Sequence, residues 1–281
     1  MKIRTITPKL ITAYARSLQQ EERAAATIEK YTQDIRSFAV WLDGRPVTKE
    51  RSAEWKEYMF SQDLAPATIN AKISAINSLF DFLGWEDCRV KSLKLQRKTF
   101  REASRDLTAE EYRRLLNTAS ASGEGWLKLL METICSSGIR VSEVKYITIE
   151  AVRTGRTDIS LKGKIRTIIL PEKLCRKLRK YAKQQKIVSG EIFLSRDGKS
   201  LSRNQIWRKM KMLCRKAGVE CSKVFPHNLR HLFATTFYQV TRDIVKLADV
   251  LGHSSVNTTR IYLLTTGAEH ARQMDRLGLI S

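Results

Sequence analysis

Along the first ninety residues the apolar positions recur every three or four. In "AATIEKYTQDIRSFAVWLDG" the apolar residues Ile28, Tyr31, Ile35, Phe38 and Leu42 form one stripe, and the run stops at Gly44. In "PATINAKISAINSLFDFLG" the stripe is Ile69, Ile73, Ile76, Phe80 and Leu83, closed by Gly84. Pro8 suits the first turn of "PKLITAYARSLQQ", and Thr48 can cap "KERSAEWKEYMFSQ". Four amphipathic helices are predicted, and their apolar faces need one another, so residues 1–93 should form a compact four-helix domain.

From Leu93 to Asp106 the periodicity fails. "LKLQRKTFREASRD" carries Lys94, Arg97, Lys98 and Arg101, and reads as a basic interdomain linker over residues 94–106 whose cations contact phosphates. Beyond it, Thr108 with Glu111 three residues later forms a capping box ahead of "EYRRLLNTA", and "GWLKLLMETICSS" runs to Gly138. "RTDISLKGKIRTIILP" then switches to β-forming residues about a Lys-Gly-Lys turn, a hairpin over roughly Asp158 to Leu170. Helices resume at Pro171, in "RNQIWRKMKMLCRKAG" up to Gly218, and over His227 to Tyr262 as two or three helices with a break at Gly252-His253. The expected fold is mainly α, with residues 107–281 forming a second, mostly helical domain around one small antiparallel sheet. No phosphate-binding glycine loop and no internal repeat occurs.

Charge changes the picture more than composition. The 281 residues hold 51 Lys and Arg against 29 Asp and Glu, a formal net charge of +22. Residues 1–100 hold 17 basic and 12 acidic side chains, leaving 34 and 17 beyond, so the second domain is the more basic. Such an excess favours a polyanionic partner through counterion release, and nucleic acid is the expected one. No apolar run spans a bilayer and no signal-peptide core opens the chain, so a cytoplasmic location without membrane contact is expected. Five scattered cysteines without a C-x-x-C pair read as reduced thiols; the C-x6-C-x5-H-x3-H run from Cys214 to His231 has the wrong spacing for a zinc finger.

Three stretches combine groups that a core would not require. "SSGIRVSEV" ends a helix at Gly138 and sets Arg140 beside Glu143, three residues on and on the same face. "PHNLRHLFATTF" places His227 and Arg230 on one helical face and Leu229, Phe233 and Phe237 on another. "LGHSSVNTTRIYLL" holds His253 and Tyr262. All four histidines, His227, His231, His253 and His270, lie in the last 55 residues. Together these groups answer what a metal-free phosphoryl-transfer site needs. Arginine forks bind non-bridging oxygens, imidazoles donate to them, and a general acid protonates the leaving oxygen. Arg140, Arg230, His227 and His253 fit the first roles, and Tyr262 the nucleophile's. Lys162 in the hairpin turn fits the acid's, with Lys164 as competitor. No carboxylate spacing among Asp158, Asp243 and Asp249 suggests a two-metal site, and no cofactor is called for.

These stretches, in this order, resemble the motifs of tyrosine recombinases of the phage-integrase and Xer class. "SSGIRVSEV" is similar to the first arginine box, "LKGKIRTIILP" to the lysine-bearing hairpin, "HNLRHLFAT" to the H-x-L-R-H box, and "LGHSSVNTTRIY" to the terminal tyrosine box. The resemblance covers nearly the whole chain and implies an N-terminal core-binding, SAM-like domain followed by a catalytic domain. It implies that Arg140, Lys162, His227, Arg230 and His253 surround the scissile phosphate, that Tyr262 attacks it, and that Glu143 holds the arginine segment. The implied intermediate is a 3′-phosphotyrosine with a free 5′-hydroxyl, formed without metal or ATP. The implied partners are double-stranded recombination sites, two of them bridged by a homotetramer through a Holliday junction, with room for an accessory DNA-bending protein or a partner recombinase. Integration or excision of a mobile element and Xer-like resolution both fit. Two rival readings share the residues: relaxation of DNA by a type IB topoisomerase, and a DNA-binding regulator with an inactive site.

Overall fold

A computed structural model of the chain describes residues 4–95, 105–161, 164–195, 197–263, 272 and 274–276. It divides into two compact units, residues 1–97 and residues 98–281.

The first unit contains α1 (Pro8–Gln20), α2 (Ala25–Leu42), α3 (Lys49–Ser61) and α4 (Pro66–Leu83). The starts obey local chemistry: Thr7 and Thr48 accept from backbone N–H groups in the first turns of α1 and α3, and Pro8 and Pro66 occupy first-turn positions. Helix α2 ends on Asp43 in the left-handed conformation, one residue before the expected glycine. The predicted stripes become the core, where Ile35, Phe38, Ile69, Ile73, Ile76 and Phe80 are fully buried. Two asparagines seven apart on α4 tie down the chain that leaves it. Asn77 pairs through both amide atoms with the backbone of Val90 (2.8 and 3.0 Å), and Asn70 does the same with Leu93 (3.0 and 2.7 Å). The exposed Lys94 follows directly. Arg97, Lys98 and Arg101 lie outside the described residues.

The second unit opens with α5 (Ala109–Ala121), whose Thr108–Glu111 capping box is formed in both directions. Helix α6 (Gly125–Ser137) buries Leu127, Leu130, Met131 and Ile134 and packs against α10 (Pro226–Thr241). A 3-10 turn (Val141–Tyr146) and the short α7 (Ile149–Thr154) lead into the sheet. Strands β1 (Arg156–Leu161) and β2 (Lys164–Ile169) pair antiparallel, from Arg156 opposite Ile169 to Leu161 opposite Lys164. The first strand thus starts two residues before the expected Asp158, because Gly155 in a left-handed turn ends α7 and frees Arg156 to pair. Next come α8 (Glu172–Gln184) and α9 (Arg203–Lys216), and after α10 come α11 (Ile244–Leu251), α12 (Val256–Arg260) and a 3-10 turn (Ile261–Leu263).

Cys214 and Cys221 form a disulfide, with Cα atoms 5.6 Å apart, so the expectation of thiols fails for this pair. The turn at Ala217-Gly218 folds the chain back from the end of α9, which brings together two cysteines that no spacing motif relates. Cys88, Cys135 and Cys175 are free thiols. Among the described residues no helix is long and apolar enough to cross a membrane.

Candidate active site

Two glycine turns set the geometry. Helix α6 ends at Gly138 (φ 64°) and α11 at Gly252 (φ 64°), both left-handed, where a side chain would be strained. At each, the space a Cβ would need is also taken. A Cβ on Gly138 would lie 2.5 Å from the Phe233 ring, and one on Gly252 would lie 2.2 Å from Cδ of Arg166.

These turns present helix-end carbonyls inward, and Arg230 on α10 collects them. Its guanidinium, buried to 2% exposure, donates to the carbonyl of Gly138 through Nη1 and to that of Leu251 through Nη2 (2.9 Å). Carbonyls at helix C-termini lack intrahelical donors and carry partial negative charge, so a buried cation between two of them is both hydrogen-bonded and electrostatically favoured. Burial lowers the Arg230 pKa from its ordinary value, opposed by a hydrogen bond with the Tyr262 hydroxyl.

Arg230 Nη2 also lies 2.9 Å from Nε2 of His253, whose Nδ1 lies 2.8 Å from Oγ1 of Thr259. A guanidinium only donates, so Nε2 must accept, and the neutral ring therefore carries its proton on Nδ1 and donates it to Thr259. Burial first, and then the positive charges of Arg230, Arg140 and Arg166, push the His253 pKa down to about 4; the Glu143 carboxylate pulls the other way. His253 is neutral at physiological pH.

The chain does not continue from His253 as one straight helix. It turns at Gly252–Ser255, forms α12 and returns Tyr262 to the same pocket. The Tyr262 ring, 4% exposed, stacks on His253 (centroids 5.9 Å, planes 8° apart) and lies 5.2 Å from His231 and 6.0 Å from His227. His227 is exposed at the start of α10, one helical turn from Arg230.

Arg140 stands just past the Gly138 turn with its side chain 42% exposed. Glu143, fully buried, accepts from the Arg140 backbone N–H (2.8 Å) and from its Nη1 (2.9 Å). A second arginine, Arg166, donates Nη1 to both oxygens of the same carboxylate (3.0 and 2.9 Å) and Nη2 to the carbonyl of Val250 (3.0 Å). Burial draws the Arg166 pKa down to about 10, which leaves it charged at neutral pH.

The structure thus brings together Arg140, Glu143, His227, Arg230, His253 and Tyr262, which the sequence had scattered over more than a hundred positions. Lys162 lies outside the described residues, and Lys164 is placed by its backbone alone, opposite Leu161. Sequence reasoning missed Arg166 and Thr259. A signal for Arg166 exists, since it alternates with Ile168 and Leu170, which are buried, and so occupies an inward-facing strand position where a cation needs a partner. Thr259 carries no local signal.

An arginine-rich, histidine-lined pocket closed by a tyrosine, on a mostly helical unit preceded by a four-helix unit, defines the tyrosine recombinases. Residues 105–268 match the phage integrase family, and residues 11–87 match the phage integrase N-terminal SAM-like domain; the chain belongs to that family and is a tyrosine-type site-specific recombinase. It is 27% identical to the tyrosine recombinase XerA of Pyrococcus furiosus, over 100% of this chain and 98% of that protein. To XerD of Vibrio cholerae it is 26% identical, over 85% of each. Among solved structures, the fold is similar to XerH bound to difH substrate (TM-score 0.68, 20% identity, 97% of this chain and 90% of that one). It is similar too to a lambda integrase tetramer bound to a Holliday junction (TM-score 0.72, 18% identity, 90% and 76%).

Proposed function

We propose that this chain cuts and rejoins DNA strands at specific sites through a covalent 3′-phosphotyrosine. The observation that carries the reading is the contact of Tyr262 with His253 and Arg230 inside one pocket. Tyr262 attacks the scissile phosphorus; its phenolic oxygen forms the new P–O bond, its proton leaves as attack proceeds, and the bond to the 5′-oxygen breaks. Lys162, or Lys164 in its place, protonates that leaving oxygen. Arg140 and Arg230 neutralise the non-bridging oxygens and His227 donates to them; His253 does so once Arg230 turns from Nε2 to the phosphate and the ring proton moves from Nδ1 to Nε2, with the Thr259 hydroxyl donating to Nδ1 in its place. The phosphodiester energy stays in the phosphotyrosine link, so a 5′-hydroxyl from a partner strand reverses the step with no nucleotide or metal consumed.

On this reading residues 1–93 are the core-DNA-binding domain, residues 94–106 the basic linker that follows phosphates through Lys94, Arg97, Lys98 and Arg101, and residues 107–281 the catalytic domain. Four copies act on two duplex sites, exchanging one strand pair at a time through a Holliday junction. The biological task is movement of an element or Xer-like resolution. Proteins of similar fold support this assembly, having been solved on recombination-site DNA and as a tetramer on a Holliday junction.

The test is covalent capture. Duplexes with a nick that traps the cleaved strand are selected from a random-sequence pool by the wild-type protein, and adducts are read on denaturing gels. Tyr262→Phe should leave no adduct, while duplex binding persists. An adduct formed by Tyr262→Phe would overturn the mechanism, and relaxation of supercoiled DNA without joining of two captured duplexes would favour the topoisomerase reading.

A further inference from the structure

We propose that Arg166 is a positioning residue of this site: it neutralises Glu143, so that Arg140 stays available to phosphate, and it seats the turn that carries His253. The inference rests on the reading of the pocket given above.

The geometry supports two separate duties. The first concerns charge. Glu143 is buried and both its oxygens are occupied, by the backbone and Nη1 of Arg140 on one side and by Nη1 of Arg166 on the other. A buried carboxylate needs a cation. If Arg140 were its sole counter-ion, that guanidinium would be held at Glu143 and its charge would be spent there. With Arg166, at 8% side-chain exposure, as the resident counter-ion, the half-exposed Arg140 keeps donors for an incoming phosphate.

The second duty concerns shape. Nη2 of Arg166 holds the carbonyl of Val250, next to the Leu251 carbonyl that Arg230 holds, and the Arg166 stem fills the space a Cβ on Gly252 would need. Its buried Nε finds no acceptor, so the two Nη groups alone fix the fork. One side chain therefore joins β2, which continues the lysine hairpin, to the 3-10 turn after Arg140 and to the turn before His253. A lysine there could satisfy Glu143 or Val250, and its single ammonium lacks the planar fork that spans both.

The groups that face His253 are Arg230 from α10, Arg140 just before the 3-10 turn and Glu143 within it, Arg166 from β2, and Thr259 and Tyr262 from the terminal segment. Removing the Arg166 charge removes one of three repulsions and raises the midpoint; a loosened pocket would raise it too by relieving burial, and Arg166→Lys, which keeps the charge while losing the fork, separates the two.

The experiment pairs Arg166→Gln with Arg166→Lys in the full chain. Imidazole NMR follows the His253 titration without DNA, and capture of the selected nicked duplex follows adduct formation. Arg166→Gln should move the His253 midpoint up toward the ordinary imidazole range and slow adduct formation about 100-fold, the scale of a reacting group misplaced by an ångström. Arg166→Lys should leave the midpoint near wild type and recover part of the rate. A folded Arg166→Gln whose His253 midpoint stays at the wild-type value would overturn the proposal. So would an Arg166→Lys protein that captures duplex at the wild-type rate, which decides the matter if the glutamine variant does not fold. If wild-type protein captures no duplex, the reading of the pocket fails, and the His253 midpoint still reports on Arg166.

Discussion

Lowering the pH from 7 to 5 should destabilise the protein through His253, and the pocket geometry says by how much. In the folded chain the ring titrates at about 4, against an ordinary 6.5. The folded pKa is depressed, so the unfolded state binds a proton that the native state refuses. The stability is complete above pH 6.5 and is lost as pH falls from there through 4. Full expression of that difference is about 3 kcal/mol, at about 1.4 kcal/mol per pKa unit. His253 is only partly buried, so solvent screening takes about half, and about 1 kcal/mol falls between pH 7 and 5. Carboxylates held low by partners, such as Asp87 beside Arg4, titrate below that window. The assay is urea unfolding at intervals across it, for wild type and His253→Gln. The wild-type curve should fall more steeply toward pH 5, by about 1 kcal/mol more than the variant's. Parallel curves would refute the reasoning, because they would mean that the partly buried neutral imidazole hydrogen-bonded to Arg230 does not exist in solution.

Two further predictions follow from contacts. Gly252→Ala should cost about 1 kcal/mol for its left-handed backbone and about 1–3 kcal/mol more for displacing Arg166; Gly218→Ala, at φ 59° with open space around it, should cost the first part alone, and equal melting-temperature losses would refute the clash. Asn77→Ala should destabilise the first unit by about 1–3 kcal/mol in urea, since it leaves the Val90 N–H and carbonyl without the partners they now have, and should hasten proteolysis after Val90. Unchanged unfolding would show that water replaces the amide at no cost.

What the sequence determined by itself was most of what near neighbours govern, the ends of α2 and β1 shifting by a residue or two. The Thr108–Glu111 capping box, the first-turn prolines and the left-handed ends at Gly84, Gly138 and Gly252 depend on residues three or four apart, so local spacing reads them. The same holds for the α2 and α4 stripes, and for His227 and Arg230 one turn apart on α10. The order of the four motifs also lay in the sequence, and with it the family. Only the tertiary structure decided what the motifs do to one another. Arg230 meets Gly138 and Leu251 across 92 and 21 positions, and Arg166 meets Glu143 and Val250 across 23 and 84. Such contacts follow from how α6, α10 and α11 pack, which no local period encodes. The tautomer of His253, the return of Tyr262 onto it and the Cys214–Cys221 bond are of this kind. So is the second arginine on Glu143, because a buried charge is defined by its surroundings and those exist only once the chain has folded.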